Sequence, residues 1–262
     1  MNRLKEDIFK SNFEKYEDPE YYDLEYQDYL TDVPFLAEWA AKIKGIVVDL
    51  GCGTGRVTIP LAQQGHKLIG VDLHEGMLDQ AREKTANNSL SVEWILQDCT
   101  KLSLNILAPL MYMTGNSFQH FLTNESQNQL LESIHNHLEE NGIFIFNTRF
   151  PILNELAEVD ESTHVYQDKR SRKIREKTVE TYHPLTQILH CSSAREILEG
   201  PGVGSIEQDS ISLRYVFPLE MERLLTQNGF AILETYSSWK KEPLETSSSE
   251  MIYVCIKKER QK

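Results

Sequence analysis

The stretch Ile46–Arg56, IVVDLGCGTGR, constrains this chain more than any other. An apolar run (Ile46, Val47, Val48, then Leu50 after Asp49) ends in glycines at alternate positions, Gly51, Gly53 and Gly55. A short apolar run bounded by glycine reads as a strand buried on both faces, as parallel sheets require. Residues without a Cβ let the chain turn tightly and let a ligand approach main-chain N–H groups. The apolar positions that follow, Val57, Ile59, Leu61 and Ala62, read as a helix whose N-terminus faces the loop. Strand, glycine loop and helix, in that order, make a small-molecule site.

The spacing narrows the ligand. Dinucleotide loops read G-x-G-x-x-G, whereas this one reads G-x-G-x-G with Asp49 two residues ahead, which disfavours an NAD-dependent oxidoreductase. The segment Asp49-Leu50-Gly51-Cys52-Gly53-Thr54-Gly55 resembles motif I of the class I S-adenosylmethionine-dependent methyltransferases. That resemblance implies an α/β, Rossmann-like, doubly wound sheet of seven mostly parallel strands, the last antiparallel. It also implies S-adenosylmethionine as cofactor and S-adenosylhomocysteine as product, with Gly51, Cys52 and Gly53 against the cofactor. Asp49 then orders the loop or meets the cofactor's amino group.

Lys67–Val71 reads as the second parallel strand, and Asp72 at its end can accept hydrogen bonds from both hydroxyls of a ribose. Gly76-Met77-Leu78 resembles the family's residues beside the adenine ring, and Asp98, after a strand over Ser91–Leu96, resembles the acid that meets the adenine amino group. Leu73, Met77, Cys99 and Thr114 complete this expected cofactor set. The Tyr21–Tyr26 segment, YYDLEY, resembles the Y-Y-D-x-x-Y stretch that covers the cofactor in many small-molecule methyltransferases, through Tyr22 and Tyr26. Packing an N-terminal helix onto the core is the alternative for these rings.

Leu110–Met113 reads as strand four, and TGNSFQHF (Thr114–Phe121) lies at its carboxyl end. In open α/β sheets ligands bind outside such ends, near the reversal of strand order. Asn116, Ser117 and Gln119 are expected to bind the methyl acceptor, together with Arg149 and Trp239. His120 is expected to be the catalytic base, because an imidazole titrates near neutrality. The run resembles the equivalent segment of sugar-amine N-methyltransferases, which place a histidine close to the accepting nitrogen. A packing role for His120 is the alternative.

Asn124 reads as the cap of a long helix closed by Asn141-Gly142, and Ile143–Phe146 as strand five. The pattern then changes. Arg175–Tyr182 and Gln187–Ile197 read as a hairpin, and Ile211–Phe217 as a third β-run. Residues 1–150 and 218–262 therefore read as a cofactor-binding core with an N-terminal lid. Residues 151–217 read as an inserted antiparallel sheet over the active site that shapes the acceptor pocket rather than the cofactor's.

Formal net charge is −13, a field that repels phosphate backbones and argues against a nucleic-acid partner. One basic run, KRSRKIREK at Lys169–Lys177, reads as a solvated strand face. No apolar run approaches the ~20 residues of a membrane span. Met1–Lys10 shows neither a signal-peptide nor a transit pattern. Four scattered cysteines (Cys52, Cys99, Cys191, Cys255) lack metal or redox spacing and read as reduced thiols of a cytoplasmic protein, with no metal. The expected activity is methyl transfer to an N or O nucleophile on a small molecule. A non-catalytic cofactor-binding regulatory domain is the alternative, and exposed strand edges make a homodimer an option.

Overall fold

The computed structural model describes residues 12–26, 28–86, 90–156 and 159–259 of the chain; Met1–Lys10 lies outside them. Two helices, α1 (Pro19–Tyr26) and α2 (Val33–Ala41), precede β1 (Ile46–Leu50). The core continues through α3 (Thr58–Gln63), β2 (Lys67–Asp72), α4 (Glu75–Thr85), β3 (Val92–Leu96), β4 (Ala108–Met113), α5 (Asn124–His137) and β5 (Leu138–Arg149). A short helix α6 (Leu153–Leu156) leads into β6 (Asp160–Gln167), β7 (Lys173–His183), β8 (Ile188–Glu199) and β9 (Ile206–Arg214). The core closes with α7 (Pro218–Gln227), β10 (Phe230–Tyr236) and β11 (Glu250–Lys257).

The main sheet runs β10-β11-β5-β4-β1-β2-β3, and β11 lies antiparallel between β5 and β10. Both faces are covered, which explains the unbroken apolar runs. In β4, Leu110 and Tyr112 enter the cluster with Phe35 of α2 and Leu61 of α3. Met111 and Met113 point to the other side, with Leu130 of α5 and Met221 of α7. This alternation is the period-2 geometry of a strand. On the second side Phe146 stacks with Phe144 (4.9 Å) and with Tyr253 (5.3 Å).

The second sheet is antiparallel, in the order β6-β7-β8-β9. It has four strands where the hydrophobic pattern predicted three. The additional one, β6, reads DESTHVYQ and is exposed along most of its length. A strand with two wet faces carries no apolar alternation to detect. The basic run lies on β7 and the turn before it, and all six of its cations pair with acids, as in Arg172 with Asp168 and Glu207 or Lys173 with Glu199. It is a solvated face.

Two boundaries differ from expectation. Helix α5 ends at His137 rather than at Asn141-Gly142, because those residues belong to β5, with Asn141 at φ 61° where the pairing with β4 slips. Strand β4 begins at Ala108, so Pro109 sits inside it. The pairing with β5 slips there, from Ala108–Leu138 to Leu110–Ile143, which accommodates a residue that cannot donate to the ladder.

Candidate functional site

Strand order reverses between β1 and β4, and a cavity of about 1110 Å³ opens at the carboxyl ends of these strands. The volume exceeds that of a typical single-ligand pocket. Its first wall is the glycine loop with the ends of β1 and β2. Gly55 holds φ +82°, and a Cβ there would come 2.6 Å from the Trp94 ring, so the loop has no room for a side chain at that point. Asp72 ties the wall together: it accepts from the Gly53 N–H (2.7 Å) and the His74 N–H (2.8 Å). His74 then caps α4, its Nδ1 accepting from the Met77 N–H at 3.3 Å. Asp98 accepts from the N–H and hydroxyl of Thr100 (2.8 and 2.7 Å), which closes the turn after β3.

Among the expected cofactor residues, Tyr22, Asp49, Gly51, Cys52, Gly53 and Asp72 all line the cavity. So do Leu73, Met77, Asp98, Cys99 and Thr114. Tyr26 does not, but its ring packs 4.6 Å from that of Tyr22. Asp49 is 1 % exposed, accepts from the Thr58 hydroxyl at 2.6 Å through Oδ2, and leaves Oδ1 without a partner among the described residues. Burial pushes its carboxyl up to about 7. Burial likewise raises Asp72, and pushes the Cys52 and Cys99 thiols up, so neither thiol is a nucleophile at neutral pH. A wall with three carboxyl groups, one of them with an unpartnered oxygen, suits a ligand that carries positive charge. A sulfonium and an amino group meet that requirement. Among the described residues no cluster could hold a metal ion.

The lid is anchored by residues that sequence reasoning passed over. Asp23 of α1 accepts from the Thr54 hydroxyl (2.5 Å), from Gln80 (3.1 Å) and from Lys84 (2.9 Å). Arg56 makes a two-bond contact with the fully buried Asp32 (2.8 and 2.5 Å). Arg170, in the turn between β6 and β7, reaches Asp18 at 2.6 Å and lies over the Tyr21 ring. The inserted sheet therefore contacts the N-terminal helix region as well as lining the cavity.

On the opposite wall the structure brings together Tyr16, Ser117 and His120 with Leu185, Gln187 and Arg214 of the insert. Asn116 and Gln119 lie behind this wall: Asn116 exchanges hydrogen bonds with Asn147, and Gln119 donates to the Arg214 carbonyl at 3.3 Å. Two expected acceptor residues are not brought to the cavity. Trp239 is buried on the far face of the sheet, edge-on to Phe35 at 5.5 Å, so its apolar bulk fills core. Arg149 ends β5 outside the lining. His120 is in place, but burial pushes its basicity down to about 4, and both ring nitrogens are engaged, with Asn12 and with Tyr16 at 3.1 Å each. Asn12 and Gln187 gave no sequence signal. Arg214 did, as a lone cation inside the apolar run Ile211–Phe217.

Residues 47–142 match the family model described as a methyltransferase domain. A provisionally named methyltransferase of Geobacillus sp. (strain WCH70) is 26% identical over 219 residues, spanning 81% of this chain and 84% of the relative. The CcbJ methyltransferase of Streptomyces caelestis is 25% identical at a TM-score of 0.77, covering 88% of this chain and 95% of that one. The chain carries a methyltransferase domain over residues 47–142 and is similar to methyltransferases along most of its length. A carboxy-S-adenosyl-L-methionine synthase of Campylobacter concisus is also similar, with 27% identity over 174 residues, 64% of this chain and 66% of that relative. The span of the family model contains the glycine loop, Asp72 and Asp98 of the first wall.

Proposed function

We propose that this methyltransferase acts on a small molecule, at a nitrogen or oxygen nucleophile. The observation that carries the reading is the division of one cavity into two walls. The first wall has the acids and glycine loop expected for the cofactor; the second is built by the lid and insert, with Tyr16, His120 and Arg214 around the remaining space. The folds of DesVI from Streptomyces venezuelae (17% identity) and of the sugar N-methyltransferase KedS8 from Streptoalloteichus (15%) are shared, which supports an acceptor of comparable size. A net charge of −13 and a basic run whose cations are all paired argue against a nucleic-acid acceptor. Free thiols at all four cysteines support the cytoplasm as its compartment. A dimer would use the outer edge of β6, and sedimentation tests it.

When bound, S-adenosylmethionine supplies a sulfonium that makes its methyl carbon electrophilic. Asp72 would hold the ribose, Asp98 the adenine amino group, Leu73 and Met77 the faces of the ring, and Asp49 the amino end. The lid tyrosines, Tyr16 and Tyr22, exclude water from that space. Burial pushes both of their hydroxyls up, Tyr22 to about 12, so they stay protonated and act as donors. Alignment of the two reactants in such a site can supply ~7–11 kcal/mol of the barrier reduction. His120, as a weak base with both nitrogens engaged, orients rather than deprotonates, so the acceptor is expected to arrive as a free nucleophile.

Calorimetry with S-adenosylhomocysteine and with NAD tests the first half: only the former should bind. Incubating a metabolite extract with methyl-labelled S-adenosylmethionine tests the second. Label in one or a few small molecules supports the proposal, whereas label confined to nucleic acid or protein, or none with a cofactor-competent protein, removes it.

A further inference from the structure

His120 closes the 3-10 turn Ser117–His120, and its ring is held between two side chains of the N-terminal segment. Asn12 Nδ2 lies 3.1 Å from Nδ1, and Tyr16 Oη lies 3.1 Å from Nε2. The orientation of the Asn12 amide is fixed independently. The Ser212 N–H donates to Asn12 Oδ1 at 2.7 Å, and Asn12 Nδ2 donates to the Ser212 carbonyl at 2.9 Å. Exchanging oxygen and nitrogen would set donor against donor and acceptor against acceptor at both contacts. Ser212 lies in β9, the edge strand of the inserted sheet, so the side-chain amide stands where a neighbouring strand's peptide group would.

The consequence runs through the ring. With one N–H of Asn12 Nδ2 given to Ser212, the other points at His120, and Nδ1 must accept it. A neutral imidazole has one acceptor and one donor nitrogen, so the proton is on Nε2 and is donated to Tyr16 Oη. Tyr16 then cannot send its own hydroxyl proton back to the ring. Tyr16 lines the cavity, and that proton is free to face it.

The geometry assigns Asn12 as a positioning residue for methyl transfer: it holds His120 in the Nε2–H form and so turns the Tyr16 hydroxyl into a donor toward the acceptor. Burial, with Lys15 as the nearby charge, keeps the ring neutral through the working pH range, which the arrangement requires. The role in turnover rests on the methyltransferase reading, but the tautomer does not.

The test is a long-range ¹⁵N–¹H correlation spectrum of the full chain labelled at histidine, recorded with and without saturating S-adenosylhomocysteine. His120→Gln identifies the signal. The expected result is the Nε2–H form alone from pH 6 to 8. Asn12→Ala should give a mixture of the two forms, and Asn12→Asp, which offers only acceptors, should shift the ring toward Nδ1–H. Tyr16→Phe should leave the tautomer unchanged, yet lower labelled-methyl transfer into a metabolite extract about as much as Asn12→Ala does, roughly tenfold or more. An Nδ1–H or mixed form in the wild type overturns the assignment, even if no variant folds. An unchanged spectrum in folded Asn12→Ala overturns it as well. Failure to bind S-adenosylhomocysteine with the expected tautomer present would count against the methyltransferase reading instead.

Discussion

On the wall formed by the ends of β1, β2 and β3, the cavity-lining groups come from one span, Asp49 to Cys99, and are held largely by main-chain contacts such as Asp72 to the Gly53 and His74 N–H groups. On the wall facing it, they come from Asn12, Tyr16, His120, Gln187 and Arg214, held by side chains that meet only in the folded chain. The first wall is set by strand–loop–helix geometry. The second depends on how one lid and one insert happen to dock. On the proposed reading, the first wall serves the cofactor and the second selects the acceptor.

Substitutions can break that division. The largest effect is expected from Gly55→Val. Its φ of +82° disfavours a side chain, and the Trp94 ring occupies the space. Strain and overpacking together should cost about 2–6 kcal/mol of stability, with loss of S-adenosylhomocysteine binding in calorimetry. Next comes Trp239→Ala, which should lower stability by about 3–5 kcal/mol in denaturant titration, as a core truncation does. A change in acceptor KM at unchanged stability would return Trp239 to the site. Asp72→Ala should weaken S-adenosylhomocysteine by about 1–3 kcal/mol, because ribose hydroxyls lose their partner and the Gly53 N–H is left open. An unaltered dissociation constant would detach Asp72 from the cofactor.

The facing wall gives smaller effects. Since the His120 folded-state pKa of about 4 lies below its unfolded value near 6.5, the unfolded chain binds the proton first as pH falls. Wild-type stability should therefore decline between about pH 6.5 and 4, by roughly 1–3 kcal/mol from this group. His120→Gln should show a correspondingly shallower decline in Tm over the same window. The smallest effect belongs to Arg170→Ala. Its bond to Asp18 is well exposed and worth under about 1 kcal/mol, so stability should hardly move. Stopped-flow release of S-adenosylhomocysteine should quicken a few-fold if the insert steadies the lid.

The same contrast explains how far the sequence could be read. Periodicity and glycine spacing located the main sheet because both faces of β1, β4 and β5 are buried and their apolar residues are contiguous. They missed β6 because most of its length is exposed, and they misplaced the end of α5 because Asn141-Gly142 lie within β5, at a left-handed residue. The residues expected at the cofactor line the cavity, apart from the indirect place of Tyr26. Of those expected at the acceptor, only His120 and Ser117 line it. Trp239 looked available because an aromatic in a polar loop has no periodic context, and only the fold shows Phe35 beneath it.

Asp23 has a kinetic consequence. One carboxylate on the lid receives bonds from the glycine loop and from two residues of α4, so lifting α1 breaks them together. The dwell time of S-adenosylhomocysteine is then expected to follow the strength of these bonds, to an acid behind Thr54, rather than anything the acceptor touches.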